Sequence, residues 1–408
     1  MKPLYCLLVI CFLSLPVVSL FGQDKSKGSS FDFFAKGENS YTLKDNAYYG
    51  HMKYIVNGQN YSRSNRTYFD LEWNHWFGKG LGAGLNIDAN WTGTHYYSGN
   101  TDQLFRGWTI SPNIAYGKTL SDRLGVYARA EITWGKNKDI SKGQPINTTN
   151  KSDLFGYSGS IGVPYRFSNY TALTAELSYD HLRTKFGSAS KEDENSFGVN
   201  LHLEDYMPCS RIRCDHSTGF KLSKDKFKQG SGFINYDSEI GFFSGNNTQT
   251  YSNPSYTFKN KFSNTNVDLN GSFYVKDNVA LGGGLDFGHM VQKSDDNTFH
   301  YTWNYFNFDP EVIINAPVNN GWRNVFVKGG GYFGSNKTTI SSITTNSTGK
   351  NNITGYNFGA GYFGFFSEQT AVQTCVYYRS TTTRYKDTDD KAINRGIAVS
   401  VGLVHSFR

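Results

Sequence analysis

Beyond Phe21 the sequence has no run of about 18 apolar residues, so no later stretch can cross a bilayer as a helix. Cysteine is scarce. Of the 5 in 408 residues, Cys6 and Cys11 fall in the N-terminal apolar segment, Cys375 stands alone, and Cys209 and Cys214 share a polar connector. No disulfide framework can hold the fold, and Cys209–Cys214 is the single candidate bridge. The same connector offers no metal site, because Cys209-x4-Cys214-x-His216 lacks a fourth ligand. The formal charge of +7 is mild for this length, and its lysines and arginines are scattered with no basic stripe to neutralise phosphates. Nucleic acid is therefore excluded as a partner.

Signals for chemistry are equally sparse. Asp180 and His181 are adjacent on a strand and point to opposite faces. His405-Ser406 and the scattered His75, His95, His202 and His289 have no spacing that assembles a triad. Gly282-Gly283-Gly284-x-x-x-Gly288 lies within a strand and not before a helix, so phosphate binding does not follow. The expectation is a protein with no enzymatic activity, no cofactor and no metal.

What is present is repetition. Gly156 to Tyr179 returns as Gly355 to Tyr378 at a constant offset of 199, with Gly156/Gly355, Gly162/Gly361, Phe167/Phe366, Thr171/Thr370 and Tyr179/Tyr378 among the identical pairs. A gapless match of this length reads as a tandem duplication. The repeated text also alternates with a period of two: Tyr157, Ile161, Val163 and Tyr165 face one way, Ser158, Ser160 and Gly162 the other. Aromatics sit near the strand ends and small aliphatics in the middle. A bilayer sorts apolar residues by height in this manner, with rings at the two interfaces and aliphatics between them.

Residues 1–22 read as a secretory signal, without a cysteine at the cleavage site for a lipid anchor. Residues 23–45 read as a periplasmic lead-in marked by Phe31, Phe33 and Phe34. Sixteen strands follow, at about 46–57, 66–77, 81–93, 104–117, 123–136, 153–167, 170–184 and 194–207 in repeat 1 (46–207). In repeat 2 (231–408) they run at about 231–244, 263–275, 278–292, 301–316, 322–335, 352–366, 369–383 and 393–407. A periplasmic connector, 208–230, joins the repeats. Tight turns alternate with long polar connections at 58–65, 94–103, 137–152, 185–193, 336–351 and 384–392, which puts the N-terminus in the periplasm. Pro112, Pro164 and Pro310 are assigned to bulges or strand ends, since proline removes a ladder hydrogen bond.

Each half resembles the small eight-stranded outer-membrane barrels of the OmpX/OmpA-like group, most clearly in the turn-and-strand phrase Phe273-Tyr-Val-Lys-Asp-Asn-Val-Ala-Leu281. The apolar last strand, ending on Leu403 and Phe407, resembles the signal read by the barrel-assembly machinery. That resemblance implies an all-β transmembrane antiparallel barrel in the outer membrane of a Gram-negative bacterium, with membrane lipid and the assembly machinery as partners.

Strand parity sends Asp70, Glu72, Asp88, Arg129, Glu131, Glu176 and Asp180 inward from repeat 1. From repeat 2 it sends Asp268, Asp286, Asp309, Glu311, Lys328 and Arg379. These charges favour one wet barrel of 16 strands, whereas inward Phe326, Tyr332 and Tyr377 and the long connector suit two packed barrels of eight. The functional expectation is porin-like passive diffusion of small hydrophilic solutes. The alternative is a non-conducting structural or adhesion barrel that works through its outer loops.

Overall fold

The computed structural model describes residues 33–34, 38–42, 47–143, 147–166, 171–187, 190–208, 227–235, 239–252, 255–296, 298–318, 323–342, 344–365, 370–386 and 390–407. The signal segment and the Cys209–Cys214 pair lie outside them. Sixteen long strands make the wall. In the first half these are β2 (Ala47–Val56), β3 (Gln59–Gly78), β4 (Leu81–Tyr96), β5 (Thr101–Thr119), β6 (Gly125–Lys142), β7 (Thr148–Arg166), β8 (Thr171–Phe186) and β9 (Ser190–Pro208). In the second they are β11 (Glu239–Ser252), β12 (Ser255–Lys276), β13 (Val279–Ser294), β14 (Phe299–Val318), β15 (Arg323–Ser342), β16 (Asn346–Phe365), β17 (Thr370–Tyr385) and β18 (Lys391–Phe407). Two short strands, β1 (Glu38–Thr42) and β10 (Gly232–Asn235), complete the sheet.

All pairings are antiparallel, and the sheet closes. The closure differs with height. At the upper level, away from the chain termini, β9 pairs with β11 from Ser190 to His202, and β18 pairs with β2 from Ala392 to Val401. One ring of sixteen strands results. At the lower level the same edge of β9 pairs with β1 over Asp205–Pro208, and the other edge of β1 takes Glu72–His75 of β3. Likewise β18 pairs with β10 over Val404–Phe407, and β10 takes Gly271–Phe273 of β12. The ring thus divides into two legs of eight strands, β1 with β3 to β9 (leg 1) and β10 with β12 to β18 (leg 2). The two closures that the sequence poses as alternatives coexist, one above the other.

Eight strands enclose only enough room for side chains, and each leg is stoppered with aromatic rings at its lower end. Phe33 and Phe34 are wholly buried in leg 1 with Trp76, Tyr127 and Tyr206. Phe34 meets Trp76 edge-on at 4.5 Å between ring centres, and the Phe33 N–H donates to Thr119 Oγ1 at 3.0 Å. In leg 2 the stopper is Phe227, among Phe233, Tyr274, Phe326, Phe363 and Phe365, with its carbonyl accepting the Asn278 N–H at 2.6 Å. The segment read as lead-in therefore supplies β1 and the leg 1 stopper, and the connector supplies Phe227, whereas β10 lies within the strand expected at 231–244, whose span is shared between β10 and β11. Period-two reading cannot detect a segment that contributes one or two rings to an interior.

The legs touch through their outer faces. Leu203 and Leu403 bury one another, flanked by Ile234 and Val372, and the Thr171 hydroxyl hydrogen-bonds His405 Nδ1 at 2.8 Å. This explains a histidine where the final strand would ordinarily carry an apolar residue: His405 faces the other leg and not lipid. The same contact covers Leu403, whereas Phe407 stays exposed.

Elsewhere the outer face is apolar and exposed in layers. Trp108, Trp134 and Phe155 lie on consecutive strands at the upper edge, with Phe287 directly opposite Phe306. Ile114, Ile161, Leu177, Val312, Val327 and Val376 fill the middle, and Phe77, Tyr116, Tyr165, Phe273 and Tyr362 the lower edge. A belt of this kind is stable only against hydrocarbon.

Above the belt the strands continue. β12 has 22 residues and β14, β15 and β16 have 20 each. At 3.4 Å per residue and a tilt near 45°, such strands rise about 50 Å, roughly twice the apolar band of an outer-membrane barrel. The connections read as long polar loops are mostly strand. Outside the bilayer both faces of a strand can be polar, so the alternation that marks strands in the sequence disappears there.

Pro112 and Pro310 sit mid-strand and not at ends. Pro112 pairs with Leu85 and Pro310 with Gly283, while the rungs toward the next strand skip from Ile110↔Trp134 to Asn113↔Glu131 and from Phe308↔Phe333 to Glu311↔Gly330. The register is unchanged across each gap, so the wall loses hydrogen bonds without slipping. Beside Pro310, Gly283 has φ +144°, and a Cβ there would strike the Asp309 carbonyl. Gly283→Ala should lower stability by about 1–3 kcal/mol, the cost of a residue forced into such backbone. Equilibrium urea unfolding in lipid vesicles measures it, and an unchanged midpoint would contradict this account.

Candidate functional site

The inward polar face of the wall forms the candidate site, and height sorts it into three parts. At the fork, where one ring becomes two, Asp70 stands directly opposite Asp88 and Asp268 directly opposite Asp286. Like charges on facing rungs repel, and the surrounding amides offset part of this. Asn270 donates to Asp268 at 2.6 Å, Asn307 to Asp286 at 3.1 Å, and Asn266 to Glu239 at 2.7 Å. Glu131 and Asp180 also face inward in the first half, on rungs opposite Ser158.

Below the fork, leg 1 is filled by an ion cluster. Arg129 reaches both Glu72 and Glu176, the latter at 3.0 Å, and all three side chains are largely buried. Tyr127 donates to Glu176 at 2.6 Å, while Tyr206 and Thr174 donate to Glu204 at 2.8 and 3.0 Å. One arginine thus sits among three carboxylates, two of them held by hydroxyls and Glu72 by the Asn74 amide, just above the Phe33–Phe34 stopper.

Leg 2 has the same rungs with different occupants. Glu72 opposite Asn86 corresponds to Asn270 opposite Gly284, Glu176 opposite Gly162 to Cys375 opposite Gly361, and Thr171–Asp205 to Thr370–His405, which matches Glu204 to Val404. Three glutamates are replaced by asparagine, cysteine and valine. Lys328, in the place of Arg129, pairs instead with Glu311 at 3.0 Å, and Arg379 lies 3.7 Å from Asp309 and over the rings of Tyr332 and Tyr377. The truncated side chains leave a cavity of ≈ 530 Å³, which Asn270, Cys375 and Val404 all line. It runs from Arg66 and Tyr68 in the shared upper chamber down to Phe233 and Phe363.

The sequence-derived residues therefore divide. Glu72, Arg129 and Glu176 meet in leg 1; Asp309, Glu311, Lys328 and Arg379 meet in leg 2; Asp70, Asp88, Asp268 and Asp286 ring the fork. Strand parity overlooked Glu204, Asn357 and Arg66. Glu204 was legible, because Phe197 and Val199 on β9 point outward and place even-numbered residues inside. Asp180 and His181 do not converge: Asp180 accepts from Ser178 at 3.2 Å, while His181 bonds Asn195 at 2.8 Å on the opposite face.

Residues 49–204 match the family model described as outer membrane protein beta-barrel domain. With the lipid-facing belt, this decides the compartment. The protein is an outer-membrane β-barrel of a Gram-negative bacterium. Solved structures similar to this outer-membrane barrel include the P. putida toluene transporter TodX, at 10% identity and TM-score 0.33, covering 92% of this chain and 91% of that one. A Pseudomonas aeruginosa FadL homologue matches at 9% identity and TM-score 0.32, covering 91% of each chain. BauA, the ferric preacinetobactin receptor from Acinetobacter baumannii, matches at 10% identity and TM-score 0.29, covering 90% and 80%. At these scores none of their solutes carries over to this outer-membrane barrel.

Removing Arg129 would leave buried carboxylates uncompensated. Arg129→Met should destabilise the barrel by about 3–5 kcal/mol, and the triple variant Glu72→Gln, Arg129→Met, Glu176→Gln by much less. Unfolding in vesicles distinguishes them, and equal losses would rule out a mutually neutralising cluster.

Proposed function

We propose that the protein is a porin-like channel for small hydrophilic solutes, derived by duplication of an eight-stranded OmpX/OmpA-like unit, with its two legs toward the periplasm. Solutes enter the shared upper chamber from outside and leave through leg 2. The carrying observation is the ≈ 530 Å³ cavity, which extends the chamber down leg 2 as far as its aromatic stopper, while the Arg129 cluster occupies leg 1. The sixteen-stranded mouth sets what can enter; the eight-stranded leg sets how fast it leaves. Residues Asp70, Asp88, Asp268 and Asp286 at the fork, against few inward cations, give the path a cation preference.

The alternative of a non-conducting barrel draws support from the same stoppers, and from walls that stand well clear of the bilayer. Conductance separates the readings. In planar bilayers the wild type should show steps well below the nanosiemens scale of an open sixteen-stranded pore, because flow is limited by a leg of eight strands. Phe227→Ala should raise conductance several-fold, and Phe33→Ala with Phe34→Ala should not. A silent channel in both the wild type and the Phe227 variant, with the protein folded, would transfer the case to the non-conducting reading.

Selectivity provides a separate check. Under a salt gradient the reversal potential should have the sign of cation preference and move toward zero in Asp268→Asn with Asp286→Asn. Anion selectivity would contradict the assignment of the fork.

A further inference from the structure

We infer that the cavity of leg 2 is a binding site for a small, uncharged, polyhydroxylated solute of mono- or disaccharide class, recognised through Asn357. This rests on the reading of leg 2 as open to solute from above. The cavity, at ≈ 530 Å³, falls within the range of about 300–1,000 Å³ typical of small-molecule sites.

Its chemistry is selective. Asn357 is only 3% exposed, lines the cavity, and has no hydrogen-bond partner at either Nδ2 or Oδ1. A buried amide with both atoms unmatched is costly, and its two functions, one donating and one accepting, call for a partner that does both. A hydroxyl group does so; a carboxylate only accepts and an ammonium only donates. Arg379, on the rung facing Asn357, has an unmatched Nε beside it.

The charges argue the same way. Lys328 is matched by Glu311 and Arg379 by Asp309, so two cations face two anions and the deep part of the site is balanced. A charged solute would have to break one of these pairs. Below Arg66, the remaining polar wall is uncharged, made of amides such as Asn270, Gln373 and Asn394 and hydroxyls such as Ser272 and Ser400, and the rings of Tyr48, Tyr68 and Tyr377 offer amphipathic faces for the C–H side of a sugar.

Leg 1 provides an internal comparison. The rung that pairs Asn357 with Arg379 pairs Ser158 with Asp180 there, and glutamates occupy the space that Asn270, Cys375 and Val404 leave open. Among the described residues, the pairing of an unmatched amide with an arginine beside the cavity is a feature of leg 2 and not of the corresponding rung of leg 1.

The test is isothermal titration calorimetry on the refolded full-length protein in detergent, with maltose as probe and glycine and sodium acetate as charged comparisons. Maltose should bind saturably and in preference to both. Asn357→Ala should weaken it at least tenfold, Cys375→Glu, which restores a leg 1 side chain, should abolish it, and Ser158→Ala should leave it within twofold. Far-UV circular dichroism verifies the fold of each variant, and Asn357→Ala decides the matter should Cys375→Glu not fold. No saturable heat with maltose, preferential binding of glycine or acetate, or an unaffected Asn357→Ala would overturn the inference. Because the assay needs no flow, maltose binding in a protein that does not conduct would uphold this site and remove the channel reading. Conduction without maltose binding would do the reverse.

Discussion

A strand inside hydrocarbon has two edges, and each must be paired at every height, because no water is there to satisfy an open N–H or C=O. The architecture is a solution to that constraint for a chain with two matching halves. The upper portions of β9 and β18 close on the first strand of the opposite half, and their lower portions close on the short strand of their own. β1 and β10 are only 5 and 4 residues long, yet without them four strand edges would be bare at the level where the ring divides.

That division separates two physical regimes. Above the fork the interior is wide enough for hydrated carboxylates to face each other, as Asp70 and Asp88 do. Below it, each charge has to find an opposite charge or a hydroxyl, and Arg129, Lys328 and Arg379 all do. The residue that differs between corresponding rungs then decides the volume left over. Glutamates fill leg 1, and their smaller counterparts leave leg 2 hollow. Two halves built on one plan thus end as a solid post and a lined cavity.

The sixteen long strands and the lipid-facing belt were legible in the sequence because a bilayer imposes both a period of two and an order by height, and Trp91, Trp108, Leu177 and Val312 obey both. The inward charges were legible for the same reason. The split closure was not, since the pairing of β9 first with β11 and then with β1 is a choice between partners of equal local merit. The outer strand extensions escaped notice where both faces are polar. The stoppers escaped because Phe33, Phe34 and Phe227 belong to no alternating stretch, and Asn357 because an inward amide in a wide barrel would simply be wet.

The seam between the legs bears on how the chain could be divided. Residues 38–208 close a complete ring at the lower level, and their outer faces are bound to the second half by Leu203 against Leu403 and by Thr171 to His405. Higher up, β2 leans on β18, and β11 on β9. Each half has given the top of its first strand to the other, which is the arrangement of a domain swap carried out within a single polypeptide. The two halves are thereby clasped: neither can be excised as an independent barrel without its first strand moving to a new neighbour, and whatever inserts the protein into the membrane must deliver both halves before either has a finished wall.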